Sequence, residues 1–563
     1  MNSSGFQTID FVIFGAYIIL LVCLGLFLSR NKKGQEKNAN DYFLAGNTLT
    51  WWAVGASLIA ANISAEQFIG MSGSGYAVGF AIAAYELMAA ITLIIVAKYF
   101  LPIFIKKEIY TMPQFLERRF DNRVRIGLAI FWVGLFVFVN ITTVLYLGSL
   151  ALEQIMGIPL LYAIIGLAIY SASFSVTGGL KAVALTDVVQ VVALIFGGLV
   201  ASYMVLDAVG GGVLSGLSTL VEKAPEKFDM ILDKSNPKYI DLPGITVLVG
   251  GMWIANLYYW GTNQYIIQRS LACKSLEEAQ DGTAAAALVK ILLPLIVVIP
   301  GIAAYVLAAE IDKPDQAYPW VISNYVGSGF KGIALAALIA AIGSSVASIV
   351  NSASTIFTLD VYRPLFMKQD AERNQILTPL ENNSSQLTVK EENQLVRIGK
   401  WSSLIFIIIG VLIAPSLGSL GEAFQFIQEY TGFISPGILA IFVLGLFWRK
   451  TSTNAAFWGV VVSLPLSMLF KFLPKFVDLS GLAPFGFSAL AESGVYEIPF
   501  LDRMGFSFIL VSLIMIIISL RENKNDDPKA IYFDTNYFKT STAFNLMAMT
   551  VIGIVAAIYI VFW

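Results

Sequence analysis

A helix needs about 20 apolar residues to cross the hydrocarbon of a bilayer, and runs of that length recur in this chain from residue 8 almost to residue 562. Hydrophobic residues make up 57% of the 563 positions and charged residues only 13%, a balance that places most of the chain in lipid or against other apolar helices. The pattern predicts an all-α integral membrane protein of fourteen transmembrane helices, at about 8 to 29, 50 to 78, 80 to 105, 124 to 153, 157 to 177, 182 to 208, 243 to 266, 277 to 309, 331 to 361, 397 to 415, 420 to 448, 454 to 473, 504 to 521 and 543 to 562. The first run has Asp10 at its mouth and its basic residues after it. That is the reverse of a cleavable signal peptide, so it is expected to remain as a first membrane helix.

Lysines and arginines concentrate in the odd-numbered loops, such as Arg30, Lys32, Lys33 and Lys37 in the first and Lys106, Lys107, Arg118, Arg119, Arg123 and Arg125 in the third. By the positive-inside rule those loops are cytoplasmic and both termini extracytoplasmic. The polar stretches 209 to 242, 310 to 330 and 474 to 503 then lie outside, and 364 to 396 is the longest polar cytoplasmic linker. Basic residues confined to short loops give no support for a nucleic-acid partner. The chain contains no histidine, which removes histidine-based acid–base catalysis, serine triads of the usual kind and the commonest zinc ligand. Cys23 and Cys273 have no metal spacing and are read neither as a disulfide nor as a redox pair. The chain is therefore not expected to be an enzyme.

The stretch "SLIAANISAEQFIG" (57 to 70) carries Asn62, Ser64, Glu66 and Gln67 at membrane depth. Backbone in a bilayer bonds to itself unless it lines a protein cavity. These residues accordingly suggest a helix broken near Ala60 to Ser64, its freed carbonyls facing a cation and a solute. Ordinary hydrogen bonding between helices is the competing reading. "WIANLYYWGTNQY" (253 to 265) echoes the first stretch, with an Ile-Ala-Asn step and a later glutamine. If each stretch opens a unit of five helices, the two units are inverted relative to each other, and paired polar interruptions point to a midplane transporter site.

Three further groups stand out. Ser344 and Ser345 sit side by side among small residues in "AAIGSSVASIV". Two hydroxyls with unwound carbonyls suit a monovalent cation, and small-residue packing is the alternative. Glu86, Asp187 and Lys290 lie at depth, where each costs roughly 2.5 to 3.5 kcal/mol facing lipid, so they face the interior. Lys290 either pairs with Glu86 or Asp187 or donates to a bound hydroxyl. Tyr85, the Tyr258-Tyr259-Trp260 run, and Phe424 with Gln425, Phe426 and Gln428 would suit a sugar, a ring face on the aromatic and hydroxyls on the amides; individually such aromatics are commonly packing residues.

The segments "DYFLAG" (41 to 46), "SLIAANISAEQFIGMSGSGY" (57 to 76), "GGLKAVALTDVVQ" (178 to 190), "ANLYYWGTNQYIIQRSLACKS" (255 to 275), "AAIGSSVASIVNSASTIFTLD" (340 to 360) and "AFQFIQEYTGFISPGILAIFVLGLFW" (423 to 448) resemble the solute:sodium symporter family. The resemblance covers essentially the whole chain apart from loop lengths. It implies a LeuT-like core of five plus five inverted helices, the first helix of each repeat broken. Residues 50–208 would form repeat 1 and 243–448 repeat 2, with 209–242 an external loop, 1–49 a peripheral helix and cytoplasmic loop, and 449–563 peripheral helices. It further implies sodium-coupled uptake of a neutral hexose across a bacterial inner membrane, with a polyol such as myo-inositol or an organic acid as the alternative solute. Residue by residue, it assigns sugar contacts to Gln67, Glu86, Asn256, Lys290 and Gln428, with Tyr259 stacking on the ring as inner gate and Asn62 holding that gate. Met71, Tyr85 and Phe424 would cover the sugar from outside. Sodium would lie between the carbonyls of Ala60, Ile63 and Ala341 and the hydroxyls of Ser344 and Ser345, with Asp187 on its exit path. One position departs from the sugar carriers' pattern, Ala89 in place of a serine contact one turn after Glu86; Ala347 stands where two-sodium relatives have a hydroxyl, which implies one sodium per sugar.

Overall fold

The structure is a computed structural model that describes residues 6–29, 48–109, 111–175, 180–367, 389–419, 422–491 and 493–563. The "DYFLAG" segment, most of the loop after the first helix and the greater part of the 364 to 396 linker lie outside the described residues.

The helices that position the site are α1 (Thr8–Ser29), α2 (Trp51–Asn62), α3 (Ser72–Ala77), α4 (Ala84–Ile95), α5 (Leu180–Gly210), α6 (Gly251–Thr262), α7 (Gln264–Leu271), α8 (Leu276–Leu293), α9 (Phe330–Ile356), α10 (Ala423–Gly432), α11 (Ser435–Phe447) and α12 (Phe500–Glu522). Among the described residues nine helices are long and apolar enough to cross a membrane, or ten if the bent pair α10 and α11 is one crossing. Two shorter apolar helices, Thr8–Leu21 and Leu160–Ala172, stand beside them.

Two helices are interrupted where polar residues meet apolar sequence. Between α2 and the π-helical turn Glu66–Met71, Ile63 has an extended backbone (φ −74°, ψ 105°). Between α6 and α7, Asn263 does the same (φ −79°, ψ 119°). The paired interruptions expected from the two Ile-Ala-Asn stretches are thus present in the backbone.

Burial separates a core from a periphery. Of the apolar windows, 89% of that in Phe80–Lys106 and 78% of that in Phe330–Phe366 is buried, against 28% in Thr453–Lys475 and in Thr542–Val561. The latter expose apolar side chains such as Leu469 and Ile560, a surface suited to lipid. At the core, α8 packs on α2 and α4, and α5 and α9 both pack on α2. α2 and α8 come close at glycines: a Cβ on Gly282 would lie 2.5 Å from the Trp51 carbonyl oxygen, and one on Gly55 2.9 Å from that of Gly282. Further along the same crossing, Asn62 and Lys290 meet. Outside this core, α1 packs on α9, and its buried Asp10 accepts hydrogen bonds from the N–H groups of Gly329 (2.7 Å) and Gly332 (3.0 Å) at the N-terminus of α9. A carboxylate there satisfies helix-end donors and complements the dipole.

The structure corrects several sequence expectations. The helix expected over 420 to 448 is two, bent by 47°. Gly432 ends the first, and Pro436 in the opening turn of the second has no N–H to continue the ladder. The 364 to 396 stretch contains the start of a helix, Val389–Ile413. The stretch 209 to 242, expected as an external loop, holds a helix, Val213–Lys223, and 474 to 503 a short hairpin pairing Ala489 with Glu497.

Replacing Gly282 by alanine is expected to separate α2 from α8 and destabilise the protein by roughly 1 to 3 kcal/mol. Gly134, which has nothing within 4 Å of a built Cβ, should accept alanine with little change. Thermal unfolding of the two variants in detergent checks this; equal midpoints would show that the crossing is not tight.

Candidate functional site

At the α2 break the ladder is replaced by side chains. The Ser64 N–H, which would continue to the Ala60 carbonyl, donates to Gln67 Oε1 at 3.0 Å. The Glu66 N–H donates to Ser64 Oγ at 3.3 Å. Carbonyls at the end of α2 are thereby left without the partners a continuous helix would give them.

Asn62, the last residue of α2, is a junction. Its Oδ1 accepts from Lys290 Nζ, and its Nδ2 donates to the Tyr259 hydroxyl at 3.2 Å. Lys290 also donates to Glu86 Oε2 of α4 and lies 5.2 Å from the centroid of Trp260. The Tyr259 hydroxyl in turn bonds to that of Tyr265 at 2.7 Å. Five helices, α2, α4, α6, α7 and α8, and both breaks are joined by this one chain of bonds.

This chain of bonds borders a partly open cavity lined by polar and aromatic side chains. All ten residues assigned to sugar contacts and gates line it: Asn62, Gln67, Met71, Tyr85, Glu86, Asn256, Tyr259, Lys290, Phe424 and Gln428. Ala89 lines it too. Gln67 and Asn256 each spend one amide atom on the backbone, Asn256 Nδ2 donating to the Met252 carbonyl at 3.1 Å, and the other makes no hydrogen bond among the described residues. Tyr85 meets Phe424 edge-on with ring centroids 5.1 Å apart. On the same side Asp315 Oδ2 accepts from the Ala423 N–H at 3.0 Å, fixing the start of α10. Burial, reinforced by Glu422, pushes the Asp315 carboxyl up to about 7.

The second cluster lies between α2, α5, α7 and α9. Asp187 accepts from Ser57 Oγ (2.9 Å) and Ser344 Oγ (3.3 Å) and lies 3.8 Å from Arg269. Arg269 donates through Nε to Ser57 Oγ at 3.0 Å and through Nη1 to the Tyr265 carbonyl. Ser345 Oγ is buried with no partner among the described residues. Ser345 is the neighbour in sequence of Ser344, which meets Asp187, and a buried hydroxyl without a partner is a fitting donor for a small cation. α9, which carries Ala341, Ser344 and Ser345, packs on α2, which carries Ala60.

The partners of the buried charges divide as pairs: Lys290 with Glu86, and Asp187 with Arg269. Arg269 was missed because "QRS" reads as the start of a cytoplasmic loop, yet it is 1% exposed. Glu66, Asn140 and Asn263 also line the cavity outside the assigned set.

The sodium:solute symporter family profile matches residues 42–381 and 382–463. The chain belongs to that family. Among its symporter relatives, the sodium/glucose cotransporter of Vibrio parahaemolyticus is 47% identical over 579 aligned positions, covering 99% of both chains. Human sodium/myo-inositol cotransporter 2 is 32% identical over 83% of this chain and 70% of its own. In structure, a Na+-coupled sialic acid symporter in a substrate-bound outward-open state superposes with a TM-score of 0.72 over 92% of this chain and 98% of that one, at 21% identity, which establishes a shared fold.

Removing either member of the buried Lys290–Glu86 pair is expected to cost about 3 to 5 kcal/mol, because the other charge is left uncompensated. The double substitution to alanine should cost clearly less than the sum. Unfolding in detergent of Glu86→Ala, Lys290→Ala and the pair measures the coupling; strict additivity would show that no ion pair forms.

Proposed function

We propose that this symporter imports a neutral hexose, glucose or galactose, with one sodium ion per sugar, through a fourteen-helix, five-plus-five inverted LeuT-like core in a bacterial inner membrane, both termini facing outward. The observation that carries the reading is the cavity at the α2 break. It combines unspent amide atoms on Gln67 and Asn256, the Lys290–Glu86 pair and the Tyr259 and Tyr85 rings, a set matched to a polyhydroxyl ring. The 47% identity to a sodium/glucose cotransporter supports it.

Sodium binds to the carbonyls of Ala60, Ile63 and Ala341 and the hydroxyls of Ser344 and Ser345, joining α2 to α9. That shared helix is how the ion favours the sugar-competent state, since coupling is a difference in affinity between conformations. Gln67, Glu86, Asn256, Lys290 and Gln428 take the sugar hydroxyls, and Tyr259 covers the ring from inside. Met71, Tyr85 and Phe424 close the outer side before Tyr259 is displaced. Loss of the Asn62–Tyr259 bond accompanies that displacement, and sodium leaves by way of Asp187. One charge moving through about 100 mV releases roughly 2.3 kcal/mol. A tenfold sodium gradient adds roughly 1.4 kcal/mol. Together they sustain a several-hundred-fold sugar gradient, so a second ion is not required.

Purified protein in liposomes should accumulate labelled glucose or galactose above equilibrium when given an inward sodium gradient, and not with an equal potassium gradient. Ala89 removes a hydroxyl that the sugar carriers' pattern supplies, so the preferred hexose reports its effect. Accumulation of myo-inositol in place of either hexose would make the chain a polyol carrier; equilibration independent of sodium would refute coupling.

A further inference from the structure

Resting on the sugar-carrier reading, we infer that Glu66, positioned by Asn140, is a further specificity-determining residue that accepts hydrogen bonds from adjacent hydroxyls of the transported sugar and keeps anionic sugars out. Glu66 stands in the π-helical turn just beyond the α2 break and is only partly buried, open to the cavity that it lines. Its carboxylate has the Asn140 side chain as a hydrogen-bonding neighbour, with the Tyr259 and Tyr265 hydroxyls nearby. Among the described residues no lysine or arginine pairs with it, whereas Glu86 is neutralised by Lys290.

Two consequences follow from this arrangement. First, the acidic and basic side chains lining the cavity are two carboxylates and one ammonium, Glu66, Glu86 and Lys290, a formal excess of one negative charge. In a site of low dielectric that excess disfavours a second anion. A sugar acid is thereby rejected although its ring would fit. Second, a carboxylate offers two acceptor oxygens and suits a pair of neighbouring hydroxyls. Asn140 is 8% exposed, and its Oδ1 has no partner among the described residues. A buried acceptor left open beside the carboxylate is the mark of a ligand hydroxyl that completes it.

The test uses the full-length protein in liposomes under a sodium gradient, comparing wild type with Glu66→Gln, and Glu66→Asp as a second variant that keeps the charge. Wild-type uptake of glucose is the control: its absence would refute the carrier reading and not the role of Glu66 within it. With uptake established, KM is measured for glucose and each monodeoxyglucose, and glucuronate is tested as a competitor. The inference predicts that the wild type loses about tenfold in KM for the deoxy analogues lacking a hydroxyl that faces Glu66, the worth of a hydrogen bond to a charged group. Glu66→Gln should bring that ratio close to one and admit glucuronate as a competitor. Glu66→Asp should continue to exclude it. A Glu66→Gln protein that transports with wild-type ratios at every ring position would overturn the inference. If Glu66→Gln fails to fold, a Glu66→Asp protein with wild-type ratios at every position would overturn it equally, because shortening the side chain withdraws the carboxylate from the hydroxyls.

Discussion

An interrupted backbone in the middle of a bilayer governs this structure. Each unpaired peptide group in hydrocarbon costs several kcal/mol, so a break persists only where side chains or a ligand replace the lost bonds. At Ile63 and Ser64 that replacement is local: Gln67 Oε1 takes the Ser64 N–H, and Ser64 Oγ takes the Glu66 N–H. Donors are satisfied in this way while carbonyls stay open. The asymmetry suits a cation on one side of the break and a hydroxylated solute on the other.

Everything else in the core serves to hold that break in register. Gly55 and Gly282 bring α2 and α8 close enough for Lys290 to reach both Asn62 and Glu86. Tyr259 ties the second break to the first through Asn62. Away from the cavity, Asp10 caps α9 and so anchors the helix that carries Ser344 and Ser345. This gives the first helix, which lies outside the expected repeats, a physical task.

Much of this was legible in the residues, for identifiable reasons. A polar cluster inside apolar sequence has few physical explanations in a membrane, so Asn62, Ser64 and Gln67 announced the break. The absence of histidine closed off whole classes of chemistry before any geometry was known. Pairing was not legible: Lys290 had Glu86 and Asp187 as equally good partners, because sequence separation says nothing of which helices cross. Arg269 was hidden because a lone arginine at a helix end resembles a loop residue, and its burial arises from the packing of α7 against α2, α8 and α9. Glu66 was noticed as an ionisable residue near a break but given no task, since one-dimensional reading cannot tell a carboxylate with a cation beside it from one without. The 47° bend before Pro436 was missed for a simpler reason, as mean hydropathy is blind to a kink between two apolar halves.

In the proposed transport cycle the α2 break transmits sodium binding to the sugar cavity. Equilibrium binding of labelled glucose to the purified protein, in sodium and in potassium, measures that transmission, with Asn62→Ala as the comparison. Sodium is expected to tighten glucose binding at least about fivefold in the wild type, the lower end of usual coupling between sites. The effect should shrink markedly in Asn62→Ala while each ligand still binds. Undiminished coupling in that variant would contradict the account, because the ion and the sugar would then be communicating by another route.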